Sequence, residues 1–237
     1  MKFIQTVILY CMTLMFCVVQ AQDSGQYIFK KGDYSGIGKW YMGREIAHVM
    51  GYQGMTWLER PEREQEERTS LLLENMALEP TDIVADIGAG SGYHVIKMAP
   101  LVNNGRVYAV DIQPEMLEAI KTNPKARPYS NINLVLGSTE TVNLPENSVD
   151  KVLMVDVYHE FSYPYEMLLS IKKALKPNGK IYLIEYRGED SSVPIKPLHK
   201  MTEAQAKKEF ESAGFSLEVN MDNLPWQHCM VFVKDEN

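Results

Sequence analysis

Cysteine is almost missing from this chain. Two of its three cysteines, Cys11 and Cys17, lie in the first seventeen residues, and Cys229 stands alone in the rest. Once that N-terminal stretch is removed, no intramolecular disulfide can form. Clustered positive charge is missing too. Lys and Arg number 24 against 31 Asp and Glu, the net charge is −7, and no basic stripe runs along any segment. Phosphate backbones demand such clusters, so nucleic acid is excluded as a main partner. Repeats and low-complexity tracts are also lacking, and no stable membrane span is expected after the N-terminus. What remains is ordinary for a globular protein: 45% hydrophobic and 23% charged over 237 residues, the length of one domain or a domain with an extension. A chain of this size buries roughly 70% of its unfolded surface, so its core needs no covalent staples.

The first residues have their own texture. Lys2 precedes an apolar run from Phe3 to Val19, broken by Gln5, Thr6 and Thr13, and Val19-Gln20-Ala21 follows with small residues at peptidase spacing. A positive start, an apolar middle and a cleavage site in this order predict an export signal over 1–21, with the mature chain periplasmic or secreted. Retention of the run would anchor the protein in a membrane instead. A lipoprotein signal at Cys17 fits poorly, because bulky Phe16 precedes it. Cleavage removes one positive charge, Lys2, which takes the net charge from −7 to −8.

Residues 22–70 form an N-terminal extension before the main domain, 71–237. Gly32, Gly36 and Gly38 mark a turn-rich entry. The spacing of Tyr41, Ile46, Val49 and Met50 predicts a helix over Trp40 to Met50. A second helix is expected from Pro61 to Met76, with proline in its first turn and early glutamates at the positive end of its dipole. Trp40, Tyr41, Trp57 and the stretch from Glu59 to Arg63 are candidates for a lid.

After Pro80 short apolar runs alternate with helical patterns. The runs are Ile83 to Ile87, Val107 to Val110, Ile132 to Leu136, Val152 to Val155 and Ile181 to Ile184. Helical patterns cover Tyr93 to Leu101, Pro114 to Lys121 and Pro164 to Leu175. This predicts an α/β fold, doubly wound around a mostly parallel sheet. Thr202 and Gln205 have capping-box spacing, and Gly214 ends that helix. Phe215 to Val219 and Cys229 to Val233 then read as a terminal antiparallel hairpin.

The chemistry concentrates at strand ends. Val84-Ala85-Asp86-Ile87-Gly88-Ala89-Gly90-Ser91-Gly92 runs from a strand into alternating glycines and then a helix. Glycine lets backbone approach a ligand and adopt positive φ, and open α/β sheets bind ligands at this end of the first strand. Asp111 closes the second strand about twenty residues on, where a carboxylate accepts hydrogen bonds from ribose hydroxyls. Nicotinamide sites share that pair but use Gly-x-Gly-x-x-Gly against a pyrophosphate, which Asp86 would repel. A carboxylate there suits a ligand with a cationic amino group.

Over roughly Leu71 to Val233 the sequence resembles the class I S-adenosylmethionine-dependent methyltransferase superfamily, on the Asp-x-Gly-x-Gly-x-Gly loop, Asp111, the Leu175-Lys176-Pro177-Asn178-Gly179-Lys180 turn and the terminal hairpin. The resemblance implies a seven-stranded Rossmann-like sheet and S-adenosylmethionine as cofactor. It implies that Asp86, Gly88, Ala89, Gly90 and Gly92 cradle the methionine part, with Asp111 and the adjoining Ile112 at the ribose. The adenine loop usually carries Asp; here it reads Gly137-Ser138-Thr139-Glu140, so Ser138, Thr139 or a backbone group meets the adenine. Asp156 ends the fourth strand as in the family.

The acceptor is expected to be a small molecule, faced by the segment after the fourth strand. His159 is the candidate base there, with Tyr158 and Glu160 on the substrate side. Asp156, Glu160 and Glu185 could gather near the strand tips for a hard cation, yet the expectation is no resident metal. His199, ahead of the last helix, could border the pocket, with a surface or capping histidine the preferred reading, and Arg60 and Arg63 are candidates for the cofactor carboxylate. A non-catalytic cofactor-binding module and a nicotinamide oxidoreductase are the competing readings. No sequence feature sets an oligomeric state.

Overall fold

The computed structural model describes residues 25–235. The expected export signal over 1–21 lies outside the described residues. Among the described residues, no helix is long and apolar enough to cross a membrane.

The main unit begins with β4 (Ile83–Ile87), and its strands fall where the apolar runs predict them. They are β5 (Arg106–Asp111), β6 (Ile132–Leu136), β7 (Val149–Val155), β8 (Leu175–Tyr186), β9 (Phe215–Asn220) and β10 (Gln227–Lys234). The sheet order is β6-β5-β4-β7-β8-β10-β9, parallel except for β10, which runs antiparallel to β8 and β9. The hairpin expected at the C-terminus is therefore present. Strands wind outward from β4 through β5 to β6, then return to its other side at β7. That reversal opens a crevice beyond the carboxyl ends of β4 and β7, the usual ligand position in such sheets.

Helices α4 (Tyr93–Met98), α5 (Pro114–Thr122), α6 (Pro164–Ala174) and α7 (Glu203–Ser212) cover the faces. Two apolar clusters result, one on each side. One includes Val152, Leu168, Ile171, Phe210 and Phe232, the other Val95, Met98, Val107, Ile120 and Leu153. Thr202 caps α7 by accepting from Gln205 N–H at 3.1 Å. The reciprocal half of the box is not made, since the Gln205 side chain donates to Glu209 at 2.7 Å.

The N-terminal extension departs from its expected helices. Trp40 to Met50 is largely strand: β1 (Tyr27–Phe29), β2 (Gly36–Tyr41) and β3 (Arg44–Ala47) form a separate antiparallel sheet. Tyr27, Tyr41 and Ile46 build its small core. A two-residue turn, Met42-Gly43, joins β2 to β3 with both residues at positive φ, the twist that tight hairpins require. The helix expected over Pro61 to Met76 is broken in two. After the short α1 (Met55–Leu58) come α2 (Arg63–Glu67) and α3 (Thr69–Met76), divided by Arg68 in the left-handed region.

Candidate active site

A cavity of about 490 Å³ fills the crevice, within the range of small-molecule sites. Its floor is the glycine loop. Gly88 and Gly90 line it with φ of 76° and 54°. A Cβ on Gly88 would stand 2.4 Å from Val157 Cγ2, so only glycine lets the loop lie this close to the β7 end.

Asp111 sits at the second strand's tip, where Oδ2 accepts from Gly90 N–H and Oδ1 from Gln113 N–H, both at 2.9 Å. These bonds fix its carboxylate against the loop. Burial nevertheless raises its pKa, against the lowering effect of those amides. Ile112, Ser138 and Thr139 line the same end. Ser138 Oγ accepts from Glu140 and Thr141 N–H, at 3.2 and 3.1 Å, holding the adenine-side loop in a tight turn.

Other loop residues stand behind the cavity surface. Ala89 packs in the core and gives its N–H to Val110 at 3.0 Å, and Gly92 opens α4 against Ile120. They shape the loop, a correction to their expected direct role. Asp86 lies beneath it, 2% exposed, with Oδ2 lacking a hydrogen-bond partner. Burial lifts its pKa to about 7, with Asp111 adding to the rise and Arg63 opposing it.

Asp156, at φ 50° beyond β7, lines the cavity. Its Oδ2 accepts from Gln227 Nε2 at 2.6 Å, and its Oδ1 is buried without a partner. Burial first, then Glu67 and Glu185, holds its pKa well above the carboxylate range. Two orphaned carboxylate oxygens beside a backbone cradle suit a ligand bearing a cationic amine, so these residues fit the amino-acid end of S-adenosylmethionine.

The segment after β7 is a single 3₁₀ turn, Tyr158–Glu160. It turns Tyr158 away from the cavity, which is a second correction. Tyr158 is fully buried, donates to Glu209 Oε2 at 2.9 Å and packs on Phe161 and Phe210. The same turn aims His159 and Glu160 into the cavity. His159 Nδ1 donates to Glu185 Oε2 at 2.6 Å, and its N–H to Glu185 Oε1 at 3.2 Å. Its Nε2 stands 3.1 Å from His199 Nδ1. Burial would lower the His159 pKa, but the charge and hydrogen bond of Glu185 outweigh it and the net shift is upward. Burial and the neighbouring His159 push His199 down to about 4. Burial raises Glu160 to about 7, while its Oε1 accepts from Met50 N–H at 3.1 Å.

Sequence reasoning preferred a surface or capping role for His199, which lines the cavity. Its signal was the Pro197–His199 turn just ahead of α7, but the partner lies 40 positions away. Sequence reasoning missed Glu185 as the group that orients His159, and Gln227 as the partner of Asp156.

A strap from Val49 to Arg63 closes the cavity. Gln113 Nε2 donates to Met50 O at 3.0 Å, and Ser91 Oγ to Glu59 Oε1 at 2.5 Å, tying the strap to both sheet loops. Trp57 is part of it, whereas Trp40 and Tyr41 lie in the N-terminal sheet. Arg60 and Arg63 do reach the cavity but share buried Glu67, with contacts of 2.6 Å each. Glu66 takes Arg60 as well, at 2.7 Å. Much of their charge is therefore already met within the strap.

Known proteins are similar to parts of this chain in sequence and fold. Residues 85–183 match a family model described as a methyltransferase domain. An uncharacterised methyltransferase-like protein of Schizosaccharomyces pombe is 30% identical over 129 residues, which cover 53% of this chain and 46% of that protein. An uncharacterised Bacillus subtilis methyltransferase is 28% identical over 60% of this chain and 77% of its own length. The chain thus spans about half the length of the first of these relatives. A methyltransferase structure from Aquifex aeolicus superposes with a TM-score of 0.73 at 22% identity, over 78% of this chain and 98% of that one. Residues 85–183 are thus a methyltransferase domain, and with the glycine loop, Asp111 and the antiparallel β10 in place its fold is that of the class I S-adenosylmethionine-dependent methyltransferases, whose cofactor is S-adenosylmethionine.

Proposed function

We propose that this chain transfers a methyl group from S-adenosylmethionine to a small-molecule acceptor. The observation that carries the reading is one cavity lined both by the glycine loop and Asp111 and by His159 and Glu160. Asp111 and Ile112 would hold the ribose, and Ser138 and Thr139 the adenine edge. Asp86 and Asp156 would face the ammonium group. When bound, the cofactor supplies an electrophilic methyl on a sulfonium.

The chain's own part is positioning and proton handling, which together govern such in-line displacements. His159 Nε2 and Glu160 Oε1 border the acceptor end and are the atoms that would take a proton from a hydroxyl, thiol or amine. Glu185 keeps the imidazole turned toward the cavity. A volume of about 490 Å³ shared with the cofactor suits a small acceptor.

The test is a screen with methyl-labelled cofactor against thiols, phenols, amines and carboxylic acids. Label in an acceptor, matched mole for mole by S-adenosylhomocysteine, is the expected result. Tight cofactor binding with no transfer to any acceptor would leave a binding module. Binding of a nicotinamide dinucleotide in its place would make the chain an oxidoreductase.

A further inference from the structure

The acceptor wall brings together three donor atoms from two separate turns. His159 Nε2 lies 3.1 Å from His199 Nδ1 and 3.9 Å from Glu160 Oε1, and His199 Nδ1 lies 3.7 Å from Glu160 Oε1. All three residues border the cavity. We propose that His159, Glu160 and His199 hold one divalent transition-metal ion of the zinc type, with its open positions turned toward the methyl acceptor. This rests on the reading of that wall as the acceptor site.

The dimensions fit. A point equidistant from the three atoms lies about 2.1 Å from each, the length of a zinc–nitrogen or zinc–oxygen bond. A tetrahedral ion rides slightly above the plane of three ligands, which needs edges of roughly 3.3 Å. The two longer edges would close by a few tenths of an ångström, a small adjustment for side chains already in place.

The donor set fits as well. Two imidazoles and one carboxylate with a free position is the pattern of catalytic rather than structural sites. Imidazole suits zinc, iron, cobalt or nickel and disfavours magnesium or calcium.

The surroundings supply what such a site needs beyond its ligands. A metal-bound histidine usually donates its other ring N–H to a carboxylate, and His159 Nδ1 does so to fully buried Glu185. That bond leaves Nε2 as the ligating atom. Met50 N–H orients Glu160 from the strap. The charges also favour a cation. Glu185 and Asp111 both add negative charge around Glu160, while the nearby guanidinium of Arg44 is matched by Glu209 at 2.8 Å. Lys196, which lines the cavity beside His199, is the opposing charge. An ion on Nε2 and Oε1 excludes those atoms from taking the acceptor's proton, so their role as bases applies to the ion-free protein, where a proton shared between the two imidazoles occupies the same place.

Cobalt(II) is the probe, because its visible bands report coordination number. The chelator-stripped protein should bind one cobalt per chain with the intense bands of a low-coordinate site, and zinc should displace it. His199→Ala and Glu160→Gln should each weaken binding at least about 100-fold, and Glu185→Gln, acting through His159, about 10–100-fold. If His199→Ala does not fold by circular dichroism, His199→Asn replaces it. Calorimetry with S-adenosylmethionine runs in parallel, and its affinity should stay within about twofold in His199→Ala or its replacement His199→Asn. Less than one cobalt per chain, or undiminished binding in the ligand variants, with cofactor affinity intact, would overturn the metal site and leave a hydrogen-bonded histidine pair. A wild-type protein that binds cobalt with these variant losses but no S-adenosylmethionine would support the metal site and remove the methyltransferase reading.

Discussion

Asp86 shows how one side chain can be set against the ligand-free fold in order to serve a ligand. Its Oδ2 is buried without a hydrogen-bond partner, and burial lifts its pKa from 3.8 to about 7 despite Arg63 nearby. In the unfolded chain the carboxyl ionises near its ordinary value, whereas the folded chain keeps the proton up to about 7. Its contribution to stability is therefore full below the lower value and is lost as pH rises through the upper one. A cationic ammonium beside it reverses the preference by favouring the ionised form. Cofactor affinity should rise with pH up to about 7 and then level, with proton release on binding below that point. Asp86→Asn should flatten this profile and weaken binding, yet raise the ligand-free melting temperature at about pH 8. Calorimetry in buffers of different ionisation enthalpy counts the protons. A wild-type affinity that does not change between about pH 6 and about pH 8 would take Asp86 out of the cofactor site. This residue was legible in the sequence because strand, carboxylate and glycines are contiguous. Tyr158 was not, because its direction depends on whether a 3₁₀ turn presents residue 158 or 159 to the cavity.

At the scale of elements, the parallel strands were legible because each carries a short, mostly apolar run flanked by turn residues. The N-terminal sheet was not. Tyr41 and Ile46 are inward-facing in a helix or in a hairpin, and the turn that decides between them is Met42-Gly43. Its first residue carries positive φ without being Asn or Asp, the residues that usually signal it. Likewise nothing in the local pattern marks Arg68 as the break between α2 and α3. The glycine loop yields a test that separates conformation from contact. Gly88 and Gly43 both have positive φ, but a Cβ at Gly88 would meet Val157 while one at Gly43 meets nothing within 4 Å. Gly43→Ala should cost only the left-handed backbone penalty, of order 1 kcal/mol, with cofactor binding intact. Gly88→Ala should cost roughly 1–3 kcal/mol and weaken cofactor binding at least about tenfold, because the loop must move off Val157. Urea melts and cofactor titrations on both variants check this. Equal cofactor affinity in the two would show that the close approach at Gly88 does not shape the site.

Over the whole molecule, the N-terminal sheet is joined to the α/β unit by polar contacts that no local pattern could reveal. Arg44, at the start of β3, grips Glu209 of α7 with Nε and Nη2 at 2.8 and 2.9 Å, across 165 positions of sequence. Its Nη1 donates to His159 O at 3.0 Å, so the same guanidinium supports the turn that carries the acceptor-side residues. Tyr158 donates to the same Glu209 Oε2 that accepts from Arg44 Nη2, and Tyr41 meets Ser212 at 2.8 Å. Glu209 is fully buried, so its charge depends on this clamp. Removing one partner of a buried pair leaves an uncompensated charge, which typically costs about 3–5 kcal/mol. Arg44→Ala should lose stability in that range in urea denaturation. Arg44→Lys should recover part of it, because a single ammonium restores charge but cannot donate to both oxygens and to His159 O at once. Adding Glu209→Gln to Arg44→Ala should also recover part, since no buried charge is left unpaired. An Arg44→Ala variant within about 1 kcal/mol of the wild type, the range of a solvent-exposed pair, would mean that the sheet is not clamped through Glu209. The position of the His159 turn would then have to be set by the α/β unit alone.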